Sequence, residues 1–366
     1  MEKRSILNSK IFKLSRICAL FVALLAISGT AFSQEKANNN PDKPYDPKVA
    51  IFEHIGDAHS WHVSLPLVKE LSIPLPVIIY TSKGLEVFMS DKLYNANNEE
   101  TAYQGKNYTY VLENGKIKVA DAAGKPDETV RVLDFSITRN VASMWLGMII
   151  LLIIFGSVSS TYKKRVGKAP KGLQSFMEPL IVFVRDDIAI PNIGVKHGKY
   201  MSLLLTLFFF ILINNLLGLV PFFPGGFNLT GNIAVTLSLS FIVLLVINFS
   251  GNKYYWKHIF APDIPLWLYI IMVPVELIGI ISKPFALMIR LFANITAGHI
   301  IVLSLISLIF IFKSLAVSPA SIVFVVFMDT IELLVAFLQA YIFTMLTALF
   351  VGMAVEEHHH EHGAEI

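Results

Sequence analysis

Lys283-Pro-Phe-Ala-Leu-Met-Ile-Arg290-Leu-Phe-Ala-Asn294-Ile-Thr-Ala-Gly298-His299 places one arginine inside a run that is otherwise apolar enough to sit in lipid. A guanidinium keeps its proton at any ordinary pH, so Arg290 is a cation wherever the fold puts it. Holding that cation at membrane depth costs from about 2.5 kcal/mol to several times as much, so the default reading of such a residue is function. The alternative is an arginine near a helix end whose head snorkels to the lipid headgroups. Asn294, Gly298 and His299 in the same run weigh against that simpler reading.

Composition supports a membrane setting. Of 366 residues, 54% are hydrophobic, 16% are charged and 27 are phenylalanine. With several apolar runs near 20 residues, this predicts an all-α polytopic membrane protein. The net charge is +3, and no basic patch is interleaved with aromatics, which argues against a nucleic-acid partner. Cys18 is the single cysteine, so neither a disulfide framework nor a thiolate metal site is available. There is no phosphate-cradling glycine loop for direct nucleotide binding, and no internal repeat.

Working outward from the arginine, polar residues recur inside apolar sequence from Pro265 onward. Glu276, Lys283 and Arg290 are seven apart and Asn294 follows by four, so all four share one stripe of a helix. The apolar run from Trp267 to Leu308 far exceeds the roughly 20 residues that a perpendicular span needs. One oblique helix fits this length, and so does a re-entrant pair. Pro274 and Pro284 predict a kink or local break. A second long helix is predicted from Ala320 to about Val355, with Asp329, Glu332 and Gln339 as its buried polar residues. Each long helix is thus expected to carry an inward polar stripe.

The amino-terminal part is different. Residues 1–33 read as a signal peptide, with Lys3, Arg4, Lys10, Lys13 and Arg16 before the apolar run Ile17–Ile27, and small residues at Ala31-Phe32-Ser33. An uncleaved anchor is the rival. Residues 34–135 read as a small β-containing extracytoplasmic domain, with strands at Val77–Thr81, Tyr108–Leu112 and Lys116–Ala120 and another at Thr129–Leu133. Asn114-Gly115 signals a tight hairpin. His54, Asp57, His59 and His62 lie near its start, and His59 and His62 would share a helical face. They are read either as solvated side chains or as a metal site.

Residues 136–355 form the membrane domain. Val141–Val158 is the first span, and Lys163, Lys164, Arg165, Lys168 and Lys171 after it mark the cytoplasmic side. Residues 172–190 read as a surface amphipathic helix, broken by Glu178 and Arg185-Asp186-Asp187. Tyr200–Pro221 and Asn232–Phe249 are the next two spans. Asn214-Asn215 near the end of the former either lines an aqueous vestibule or bonds a neighbouring helix. The tail at residues 356–366 is read as solvated and cytoplasmic, which puts residues 34–135 on the other side.

Arg-Leu-Phe-Ala-Asn-Ile-Thr-Ala-Gly-His at 290–299, with the Asn-Leu-x-x-Leu-x-Pro pattern at Asn215–Pro221, resembles subunit a of rotary F-type ATP synthases. The resemblance covers roughly residues 136–355 and is strongest at Lys283–His299 and Glu332–Leu349. It implies a non-catalytic, proton-conducting stator subunit of the F0 sector in a bacterial inner membrane, with no cofactor or metal. Two long oblique helices would pack against a c-ring, the b-subunit peripheral stalk and lipid being the other partners. Two offset half-channels would serve the c-ring carboxylates, with Arg290 between them.

By the same resemblance His299 would share the outer half-channel with Glu332, and Asn294 and Gln339 would hydrate or orient the arginine. Glu276 is a candidate for the cytoplasmic half-channel, or else pairs with Lys283 or sits at headgroup level. Bacterial relatives commonly have glutamate where His299 stands and histidine where Glu332 stands. Here the two are exchanged, as in mitochondrial forms, and either order can relay a proton. The insert at 34–135 is longer than the family's usual amino-terminal segment. A secondary ion-coupled transporter would show repeated halves. An intramembrane metal hydrolase would need a pair such as His-Glu-x-x-His, and the membrane part offers only His299 and the interfacial His258.

Overall fold

A computed structural model of the chain describes residues 47–48, 51, 55–65, 68–95, 100–113, 115–121, 125–127, 129–220, 225–260, 265, 268–312 and 318–356. The signal segment, the tail beyond Glu356, His54 and the turn at 313–317 lie outside these residues. Two compact units emerge. One holds the described residues up to Met144 with those of Leu216–Asn228 and Thr296–Leu333; the other holds those of Trp145–Asn215, Leu229–Ile295 and Leu334–Ile366.

The amino-terminal residues build three small antiparallel sheets. β1 (Ser60–Leu65) pairs with β2 (Val68–Pro74). β3 (Pro76–Thr81) lies between β4 (Gly84–Met89) and β8 (Leu133–Asp134). β6 (Thr109–Glu113) lies between β5 (Tyr103–Gln104) and β7 (Lys116–Ala120). Alternation explains the core: Val77 and Ile79 on β3, Phe88 on β4, Tyr110 on β6 and Ile117 and Val119 on β7 bury one cluster with Leu93. Glu113 pairs with Lys116 across the expected hairpin, and Gly115 between them has φ +74°.

Four expectations need correcting in this part. β1, β2, β4 and β5 were not foreseen. The expected strand at Thr129–Leu133 shrinks to the pair Leu133–Asp134. His62 lies on β1, where a period of two replaces the helical period that would have put it beside His59. Tyr108 precedes β6 instead of opening it.

The rest is helical: α1 (Arg139–Lys164), α2 (Leu173–Phe183), α3 (His197–Leu219), α4 (Ile233–Ser250), α5 (Lys253–Phe260), α6 (Tyr269–Phe312) and α7 (Ser318–Val355). Among the described residues, five helical stretches are long and apolar enough to cross a membrane. Asp57 caps α1, its Oδ1 accepting from the Asn140 amide at 3.1 Å, and the Asn232 side chain caps α4 by accepting from the Ala234 amide at 2.9 Å. Two boundaries differ from expectation. Residues 172–190 are not a separate helix: a π-helical turn at Val184–Ala189, a short turn at Ile190–Ile193 and a 3₁₀ turn at Gly194–Lys196 carry α2 into α3. The charges that suggested a break are partly neutralised in place, Arg185 donating to Asp186 at 2.7 Å.

The second difference concerns α6, which runs unbroken for 44 residues through Pro274 and Pro284, so no local break and no re-entrant pair is present. Each proline removes only one amide donor, which a membrane helix tolerates.

Candidate functional site

The polar residues of α6 and α7 sort by the faces on which those helices pack. On α6, Leu287, Leu291 and Ile295 recur every four positions and are buried. Arg290 and Asn294 are nonetheless exposed, while Glu276 and Lys283 are half-buried. The expectation of an inward stripe on α6 is thus overturned. On α7 the expectation holds, with Glu332 and Gln339 both buried and Asp329 half-buried.

Within the first unit, α6 and α7 bring the two titratable side chains together. His299 Nε2 is 3.7 Å from Glu332 Oε1, and the carboxylate is only 5% exposed. Glu332 Oε1 has no hydrogen-bond partner among the described residues. Room for that carboxylate comes from Gly298, where an added Cβ would stand 2.8 Å from Glu332 Oε1 and 2.9 Å from its Cδ. In the same unit, Val302, Ile306 and Val325 form a buried apolar cluster with Leu305 and Met328. A histidine and a carboxyl at this separation can pass a proton through one small shift or one bridging water.

Within the second unit, Arg290 makes no hydrogen bond or ion pair among the described residues. Lys283 points its ammonium at the Phe350 ring of α7, 5.5 Å from the centroid. Glu276 pairs neither with Lys283 nor with Arg290. Its Oε1 lies 3.9 Å from His258 Nδ1 on α5, a partner that sequence spacing had no means of finding. The Tyr255 hydroxyl on that same short helix is pushed up by burial and by the Glu276 carboxylate.

Of the paired asparagines, Asn215 bonds a neighbouring helix, while Asn214 bonds its own and its Oδ1 has no hydrogen-bond partner among the described residues. Asn215 Nδ2 donates to the Ala336 carbonyl of α7 at 3.3 Å, and its Oδ1 accepts from Thr230 at 2.6 Å. Asn214 Nδ2 donates to the Phe210 carbonyl one turn back, at 2.8 Å. Both are buried, and Gly147 of α1 lies against the Asn214 amide.

Of the histidines near the amino terminus, His59 takes structural work. His59 is buried, with Nε2 3.2 Å from Asp134 Oδ2. Burial pushes the Asp134 carboxyl up, but hydrogen bonds from His59 and Ser136 outweigh it and hold it below the usual carboxylate value. Asp57 is the cap of α1 already described, and no group of three metal-capable side chains occurs among the described residues.

Known proteins resemble this chain in sequence. Residues 141–352 match the family described as ATP synthase A chain. Residues 50–135 match a family described only as a domain of unknown function. ATP synthase subunit a of Chloroherpeton thalassium is 48% identical over 246 residues, which cover 66% of this chain and 72% of that one. ATP synthase subunit a 2 of Chlorobaculum tepidum is 47% identical over 249 residues, covering 66% and 69%. The subunit a of Myxococcus xanthus is 43% identical over 243 residues, covering 63% and 77%.

Proposed function

Since the chain belongs to the ATP synthase A chain family, and is thus a multi-pass membrane subunit of ATP synthesis by proton transport, we propose that it forms two offset half-channels with Arg290 between them. Arg290 faces a ring of c-subunits and draws each passing carboxylate into losing its proton. Its fixed charge also blocks leakage straight from one half-channel to the other. His299 and Glu332 carry protons in the half-channel on the side of residues 34–135, and Glu276 with His258 serves the opposite one. Asn294 and Gln339 orient water around the arginine. α6 and α7 lie oblique to the membrane and curve along the ring, with a b-subunit stalk holding the stator still.

One observation carries the reading: Arg290 is an exposed fixed cation in a helix apolar enough to cross a membrane, with no counter-charge among the described residues. A cation left so has an energetic reason to be there only if another molecule brings the counter-charge. Arg290→Ala should abolish ATP-driven proton pumping in inverted membranes while the subunit still co-purifies with the c-ring. Full pumping in that variant would sink the mechanism.

A further inference from the structure

The sheet β4-β3-β8 has a face that proton transport does not use. Alternation sends Val77, Ile79 and Phe88 into the core. The residues between them point the other way and are exposed: Tyr80 50%, Leu85 61%, Val87 61%, Met89 41%, Leu133 42% and Phe135 65%. They adjoin one another. Tyr80 stands opposite both Leu85 and Leu133, Ile78 opposite Val87 and Pro76 opposite Met89, and the Phe135 amide donates to Ile78 at 2.9 Å. No charged side chain falls among these positions. The outward face of a water-washed antiparallel sheet is ordinarily polar, so a contiguous apolar face implies an occupant.

We propose that this sheet face rests in the lipid interface of the leaflet at which α1 begins. Phe135 lies only four residues before Arg139, the first residue of α1, so the chain places it within about 14 Å of a lipid-spanning helix. That helix start is also fastened to the same domain. The Arg139 amide donates to the Ala58 carbonyl at 2.8 Å and its guanidinium to the Gly56 carbonyl at 2.6 Å, while Asn140 is capped by Asp57. The apolar face therefore ends, along the chain, four residues from the start of a helix apolar enough to cross a membrane. Its chemistry fits that depth, because tyrosine and phenylalanine with leucine and valine are what the headgroup boundary accepts. The central strand β3 has ladders on both sides, so its backbone enters this zone without unpaired groups.

The test is depth-dependent quenching in the assembled synthase, reconstituted into phosphatidylcholine vesicles. Val87→Cys and, separately, Leu85→Cys carry a bimane, with Lys116→Cys as the reference, since Lys116 is exposed on β7 away from that sheet. Vesicles containing lipid brominated high on the acyl chain should dim and blue-shift the Val87 and Leu85 labels while aqueous iodide leaves them bright. The Lys116 label should behave the opposite way. Iodide quenching at Val87 and Leu85 without lipid quenching would place the face in water and overturn the proposal. Protection from both quenchers would overturn it too, by showing that another subunit or a second copy covers the face.

Discussion

At the scale of single residues, the informative pair is His299 with Glu332, 3.7 Å apart and largely buried. The two face each other, so changing one removes the polar neighbour of the other. His299→Glu sets two carboxyls together and Glu332→His sets two imidazoles together. Each should lower passive proton conductance of membranes stripped of the catalytic head. The double exchange restores one of each and should recover part of the flux; if it does no better than its worse parent, the two do not share a relay. Gly298 gives a sharper probe of the same geometry. A methyl there meets Glu332 Oε1 at 2.8 Å and must push the carboxyl aside. Gly298→Ala should lower proton conductance roughly ten- to a hundred-fold, the usual cost of a misplacement near 1 Å, with the subunit still present in the complex. Unchanged conductance would mean that the carboxyl works elsewhere than where it is seen.

At the scale of elements, the end of α7 is held by side chains from other parts of its unit. The Val355 carbonyl accepts from Lys196 Nζ at 3.2 Å and from Asn252 Nδ2 at 2.9 Å, and the Ala354 carbonyl accepts from the Asn252 amide at 3.0 Å. These are carbonyls that a helix leaves without partners in its last turn, and the lysine also meets the negative end of the dipole. Gly352 lies against the Asn192 carbonyl so closely that no Cβ would fit. Lys196→Ala and Asn252→Ala should each cost about 1 kcal/mol, read as a lower thermal unfolding midpoint of the solubilised protein. Together they should cost more than the sum, because each single change leaves the Val355 carbonyl one donor and the double change removes both. Strict additivity would show that the two bonds act independently. A helix of 38 residues that positions Glu332 and Gln339 needs such an anchor, since a small rotation would move both.

At the scale of the molecule, the proposed topology is open to direct labelling. Lys116 on β7 and Glu356 after α7 are both exposed, so either accepts a cysteine without disturbing a core. Lys116→Cys should react with an impermeant maleimide in cells whose inner membrane is intact, and Glu356→Cys should react only after that membrane is opened. The opposite pattern would invert the chain and exchange the two half-channels.

What the amino-acid sequence determined by itself was the membrane class, the long apolar helices and the candidate polar residues. These follow from local quantities: hydropathy over about 20 residues, and one charge in an apolar run. The hairpin at Asn114-Gly115 was legible for the same reason, since two residues select that turn. Tertiary structure decided what depends on partners distant in the chain. On α6, Leu287, Leu291 and Ile295 are buried while Arg290 and Asn294, whose stripe had looked inward, are exposed. Glu276 went to His258 and not to Lys283, and Asn215 went to Thr230 and Ala336. β1, β2, β4 and β5 were missed because their alternation is short and becomes a strand only when a neighbour supplies the ladder. A side chain's type is written in the sequence, but the face it shares is set by whichever packing buries the most apolar surface.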